Sequence, residues 1–172
     1  MSQNSLIYAS LLSLIFFFFV GPLIPDVRIL ALAPPLILII SRSSFISSLW
    51  AAFAIGLLHD LLSSFHMGLH ILSYLLCVLF IYRYRSQFDH ENPFNSGIFT
   101  ALFSSLFTII FTLLFFTFEK SGHLGKKWFI MDLALMPILD GLYASFWVFY
   151  PLLFIQKWEK RLKLYLLNRK RR

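Results

Sequence analysis

The feature that most constrains this chain is the recurrence of long apolar stretches, at residues 6–24, 27–40, 45–62, 68–84, 95–118 and 128–155. A bilayer core about 30 Å thick needs about 20 apolar residues as helix. In lipid each such segment must satisfy its own backbone polar groups, which leaves helices or closed barrels. Stretches of this length predict an all-α polytopic membrane bundle of about six transmembrane helices, five if 27–40 does not cross. Composition agrees: 13% of residues are charged and mean hydropathy is +0.77, against about 25% charged in soluble domains. The expected organisation is a transmembrane domain over 1–156 and a basic amphipathic tail over 157–172.

The stretches differ in how they are punctuated. The first lacks a basic leader and is too long for a signal-peptide core, so it reads as a retained helix. Its Phe16 to Phe19 run is apolar on every face and suits lipid. The second is short and carries Pro34 and Pro35. A proline pair frees backbone carbonyls, so this segment is expected either to cross with a kink or to re-enter. Asn92-Pro93 is a cap-then-proline start for the fifth helix. The sixth contains Pro137, Gly141 and Pro151, and helix breaks are expected at both prolines. No repeat of 20–50 residues is evident.

Charge orients the bundle. With both termini inside, eleven of the fifteen basic residues fall on the cytoplasmic side, as the positive-inside rule requires. Eight of them form the tail: Lys157, Lys160, Arg161, Lys163, Arg169, Lys170, Arg171 and Arg172. Interleaved Trp, Tyr and Leu make this an anchor on anionic lipid headgroups rather than a nucleic-acid site. Cys77 is the sole cysteine, so no internal disulfide forms and no cysteine-based metal site is built.

Chemistry-bearing residues concentrate in GLLHDLLSSFHMGLHILSYLL, residues 56–76. Asp60 lies about fifteen residues into its stretch, roughly 22 Å along a helix, near the external end. His59, Asp60, His66 and His70 therefore gather at a tight hairpin near the surface. Their spacing matches no metal motif, and no metal or other cofactor is expected. Gly56 lies one turn before Asp60 on the same face, where a small residue lets helices approach. Asp140 sits inside the last stretch, and an intramembrane carboxylate marks either a buried interhelical contact or a binding site. No Ser/His/Asp or Cys/His arrangement, phosphate loop or HExxH motif occurs, so the expectation is a non-enzymatic protein.

The phrase Gly56-Leu57-Leu58-His59-Asp60-Leu61-Leu62, followed by Gly68-Leu69-His70, resembles the MreD family of rod-shape membrane proteins. The early Pro34-Pro35 segment and the closing Pro151-Leu152-Leu153-Phe154 before a basic end fit the same layout. That resemblance implies a scaffold in the bacterial inner membrane with a cytoplasmic C-terminus. It implies MreC as the direct partner, and MreB, RodA and a penicillin-binding transpeptidase through the complex that directs lateral peptidoglycan synthesis. Gly56, His59, Asp60, Gly68, His70 and Asp140 are then the partner-binding or structural candidates. The small vitamin-binding subunits of energy-coupling-factor transporters share this size and layout and use Gly-Leu-x-x-Asp-Leu phrases. The alternative expectation is therefore a substrate-binding subunit with a pocket of convergent polar groups.

Overall fold

A computed structural model describes residues 4–20, 29–63, 67–87, 92–119, 129–155, 157, 158 and 161. Among them every element is helical. Helix α1 (residues 4–20) joins an α-helix, Asn4–Ile15, to wider π-type turns at Phe16–Val20. Helix α2 is Ala33–Arg42, α3 is Phe45–Leu62, and α4 is Leu69–Ile81, extended by tighter 3-10 turns over Tyr82–Gln87. Helix α5 is Pro93–Glu119. Helix α6 (residues 129–155) alternates π-type turns at Phe129–Leu135 and Ala144–Phe149 with regular helix at Met136–Tyr143 and after Phe149. The spans Phe45–Leu62, Pro93–Phe118 and Met131–Ile155 are long and apolar enough to cross a membrane.

The distribution of side chains fits a bundle in lipid. Large apolar groups point outward: Phe19, Trp50 and Phe146 are 72%, 68% and 67% exposed. Small polar groups point inward, with Ser48, Ser73, Thr100 and Ser104 buried. Water would oppose that arrangement, whereas helices in lipid associate through small and polar residues. The core is aromatic and aliphatic. Tyr74, Phe99 and Phe103 pack with Leu36, Ile37 and Val78 between α2, α4 and α5. A second cluster joins Phe16 and Leu38 to Tyr143, Val148 and Leu152.

Pro34 and Pro35 do not kink a long helix; they open a short one. They occupy the first turn of α2, where the missing N–H has no intrahelical acceptor to lose. Ten residues of helix span about 15 Å, half a bilayer. Ala33 to Leu38 and Ile40 are all buried, so α2 is a half-length helix enclosed by protein. Residues 29–32 ahead of it are irregular, held by Ala33 N–H donating to the Leu30 carbonyl at 2.9 Å.

The breaks expected at Pro137 and Pro151 do not occur, because α6 runs through both. A run of π-type turns instead ends two residues before each proline, at Leu135 and at Phe149. A proline clashes with the carbonyl four residues back. Widened turns displace that carbonyl and absorb the clash without ending the helix.

The other starts and stops follow from local chemistry. Asn92 Oδ1 accepts from Phe94 N–H at 3.0 Å and opens α5, as the Asn-Pro pair predicts. Ser44 caps α3 through Ser47 N–H. Arg85 donates to the Ser43 carbonyl at 2.8 Å and lies 4.2 Å over the Tyr82 ring, tying the α2–α3 turn to the end of α4. Arg42 and Arg83 sit at this same end, opposite the α3–α4 hairpin. Lys157 and Arg161 are exposed on the last helical turns. Lys160, Lys163, Arg169, Lys170, Arg171 and Arg172 lie outside the described residues.

Candidate functional site

Along α3 the buried positions are Ser48, Ala52, Gly56 and Asp60, one every four residues. This spacing lays a narrow stripe of small side chains along one face. Its Gly56 and Asp60 end packs against the start of α4. A Cβ placed on Gly56 would lie 2.6 Å from Ile71 Cα and 3.0 Å from Ile71 N, so the two backbones are in direct contact.

Asp60 closes the hairpin above that contact. Its carboxylate accepts from the backbone N–H groups of Gly68 at 2.9 Å, His70 at 3.0 Å and Ile71 at 3.2 Å. These belong to the first turn of α4, whose donors have no partners within the helix. Gly68 precedes the helix and has no side chain to cap it, so Asp60 supplies the cap from the preceding helix. The negative charge also meets the positive end of the α4 dipole. Gly68 stands at φ +102°, a left-handed conformation that glycine adopts freely. His70 Nδ1 lies 2.8 Å from the same carboxylate. Because a carboxylate only accepts, Nδ1 carries the hydrogen.

The hairpin histidines extend this network inward. His59 Nδ1 lies 3.0 Å from the hydroxyl of the fully buried Tyr74, and the two rings stack at 5.5 Å. The His59 and His70 rings are 5.8 Å apart. His66 lies outside the described residues. Among the described residues no group of three His, Cys, Asp or Glu side chains gathers for a metal ion.

Asp140 forms a second node deeper in the bundle. It is fully buried. One oxygen accepts from Leu30 N–H at 2.9 Å and the other from the Ser104 hydroxyl. The carboxylate thus binds the irregular turn before α2 to both α5 and α6. Tyr143, one turn further along α6, donates to the Ala31 carbonyl at 3.2 Å. Between them these two side chains satisfy backbone groups that a non-helical turn inside a membrane protein leaves over.

Gly141 belongs to a close crossing. A Cβ there would lie 3.0 Å from the Gly97 carbonyl, and one on Gly97 would lie 2.8 Å from the Gly141 carbonyl. Gly97 escapes a reading of the sequence alone because Asn95-Ser96-Gly97 reads as the polar start of a helix. The signal available was its spacing to Ala101, a small-x-x-x-small pair on α5. The polar groups of Asp60 and Asp140 are thus engaged inside the protein, and Gly56 is covered by α4. These residues reach a neighbour only through the helices they position.

A cavity of about 290 Å³ opens between the two nodes. His59 and His70 line it at the hairpin, and Ile29 and Leu30 line it at the irregular turn. Helix α5 contributes Ser104, Thr108 and Thr112 from one face, with Phe107 and Phe111 beside them; α6 contributes Asp132 and Met136. No sequence motif announces this space, because its lining comes from five separate segments. Polar and aromatic side chains share its lining, an arrangement that suits binding of a small molecule. Compared with protein-family models, curated proteins and solved structures, the chain matches none.

Proposed function

We propose that this protein is a non-enzymatic scaffold of the bacterial rod-shape complex, resident in the inner membrane with a cytoplasmic C-terminus, where it docks MreC beside RodA, MreB and the penicillin-binding transpeptidase. The observation that supports this reading is the α3–α4 hairpin. The residues that carry the resemblance, Gly56, Asp60, Gly68 and His70, are the ones that lock the two helices together. A locked pair presents a fixed lateral surface, with Ile46, Trp50 and Phe53 exposed on the outward side of α3. Association in lipid rewards such prearranged faces, since lipid and helix are equally apolar. Co-expression with the MreC encoded in the same genome tests the reading: the pair is expected to co-purify from detergent. Asp60→Ala is expected to lower recovery of MreC per inserted copy by loosening the hairpin. If the unaltered chain recovers no MreC, the scaffold reading fails.

The cavity favours a second reading, a substrate-binding membrane subunit of the energy-coupling-factor type. Convergent polar groups in a mostly apolar recess are what such a role requires. Depletion that leaves cell shape normal but abolishes uptake of a small nutrient would select this reading over the first.

A further inference from the structure

The donors and acceptors around the cavity are unevenly matched. Ser104 gives its hydroxyl hydrogen to Asp140, and Thr108 gives its hydrogen to the Ser104 carbonyl at 3.0 Å. Their remaining lone pairs can only accept. The Leu30 N–H is engaged by Asp140, and the His70 Nδ1 hydrogen by Asp60. Asp132 is a carboxylate, an acceptor only, and among the described residues it has no hydrogen-bond or ion-pair partner. Thr112 also lines the recess, and its hydroxyl can donate as well as accept; the acceptors at Asp132, Ser104 and Thr108 still outnumber that donor, so a ligand that satisfies the recess brings hydrogens of its own.

The apolar wall points the same way. Phe111 lies 4.8 Å from the His70 ring and 5.9 Å from Phe107, which lies 4.6 Å from Tyr74. A bank of aromatic rings beside a carboxylate attracts cations through ring quadrupoles as well as through charge. The volume, about 290 Å³, falls at the small end of ligand sites, which run from about 300 to 1,000 Å³.

We propose that this cavity is a binding site for a small organic cation, a primary ammonium on an aromatic body about the size of an indole, with Asp132 as counter-ion, the hydroxyl oxygens of Ser104 and Thr108 as acceptors, and Phe107 and Phe111 as the stacking wall. The site lies inside the bundle, apart from the lateral surface of the scaffold, and it supplies a ligand class for the second reading. The same ammonium chemistry is available from two sources, a soluble amine or the headgroup of phosphatidylethanolamine.

The test uses the full chain in phosphatidylcholine nanodiscs and isothermal titration with tryptamine and its neutral isostere tryptophol, empty nanodiscs serving as the reference. Tryptamine is expected to bind saturably and about tenfold or more tightly than tryptophol, the ratio that about 1.4 kcal/mol of charge recognition gives. Asp132→Asn is expected to remove that preference, with an unaltered thermal unfolding midpoint showing that the bundle is intact. Phe111→Leu is expected to weaken both ligands. Weaker apparent tryptamine binding in phosphatidylethanolamine nanodiscs would assign the site to the headgroup; unchanged binding would assign it to a soluble amine. Equal affinity for the two probes, no saturable tryptamine binding above empty nanodiscs, or a preference that survives Asp132→Asn would each overturn the proposal. None of these readouts depends on MreC recovery, so the failure of one proposal is separable from that of the other.

Discussion

Two buried carboxylates organise this bundle, and they do so on different terms. Asp60 is held by its own neighbourhood: its partners lie eight to eleven residues ahead, at the start of the next helix. Asp140 is held across the whole chain, since Leu30 is 110 residues away and Ser104 is 36. The first node caps a helix that would otherwise begin with bare donors. The second satisfies a turn that is not helical at all. A membrane interior tolerates ionisable side chains in both cases for one reason: each does for the backbone what water would do outside lipid.

The comparison predicts an order of damage. Asp60→Ala orphans three part-buried backbone N–H groups, and each such loss costs about 1–3 kcal/mol when fully buried. Water reaching the hairpin end offsets part of that, so the expected net loss is about 3 kcal/mol. Asp140→Ala orphans the Leu30 N–H alone, because the Ser104 hydroxyl can rotate to a carbonyl on its own helix, and is expected to cost about 2 kcal/mol. Chemical unfolding in detergent micelles measures both. If Asp140→Ala proves the more damaging, the hairpin is not the stronger node and the half-length α2 matters more than its size suggests.

The same contrast explains what the sequence discloses. Gly56, Asp60, Gly68 and His70 fall within fifteen residues, so their joint role is visible from spacing and residue type. Helix existence was legible for a similar reason: uninterrupted apolar runs leave the backbone no other option in lipid, and the range 45–62 matches α3 end to end. What stayed hidden depends on contacts distant in the chain. Nothing near Asp140 names Leu30 as its partner. Nothing near Pro34 and Pro35 reveals that they open a helix of half the bilayer depth instead of bending a longer one. At Pro137 and Pro151, residue type alone argued for breaks, but neighbouring helices and widened turns carried α6 through. Asp132 carried no signal either, since its setting is made by α5.

Gly56→Ala probes the hairpin from its packing side. The added methyl would meet Ile71 backbone atoms at 2.6 Å, which no rotamer can relieve, so α3 and α4 must separate. Overpacking of this kind typically costs about 1–3 kcal/mol, and the expected loss is about 2 kcal/mol. Separation also lengthens the hydrogen bonds from Asp60 to α4. Gly56→Ala and Asp60→Ala are therefore expected to be less than additive when combined. Full additivity in a double-mutant cycle would show that the close approach and the carboxylate cap act independently, and the hairpin would cease to be one unit.

The smallest effect is expected at Gly68, where the backbone alone is at issue. No atom lies within 4 Å of a Cβ added there, so Gly68→Ala makes no clash. Its cost comes from holding an alanine at φ +102°, about 1 kcal/mol for a residue with a Cβ in a left-handed conformation. Asparagine tolerates that conformation better than alanine. Gly68→Asn is therefore expected to retain more stability than Gly68→Ala in spite of its larger side chain. That ranking separates conformation from space: a steric origin would reverse it, and the reversal would mean that the turn into α4 is crowded and that Asp60 caps a tighter loop than the one described.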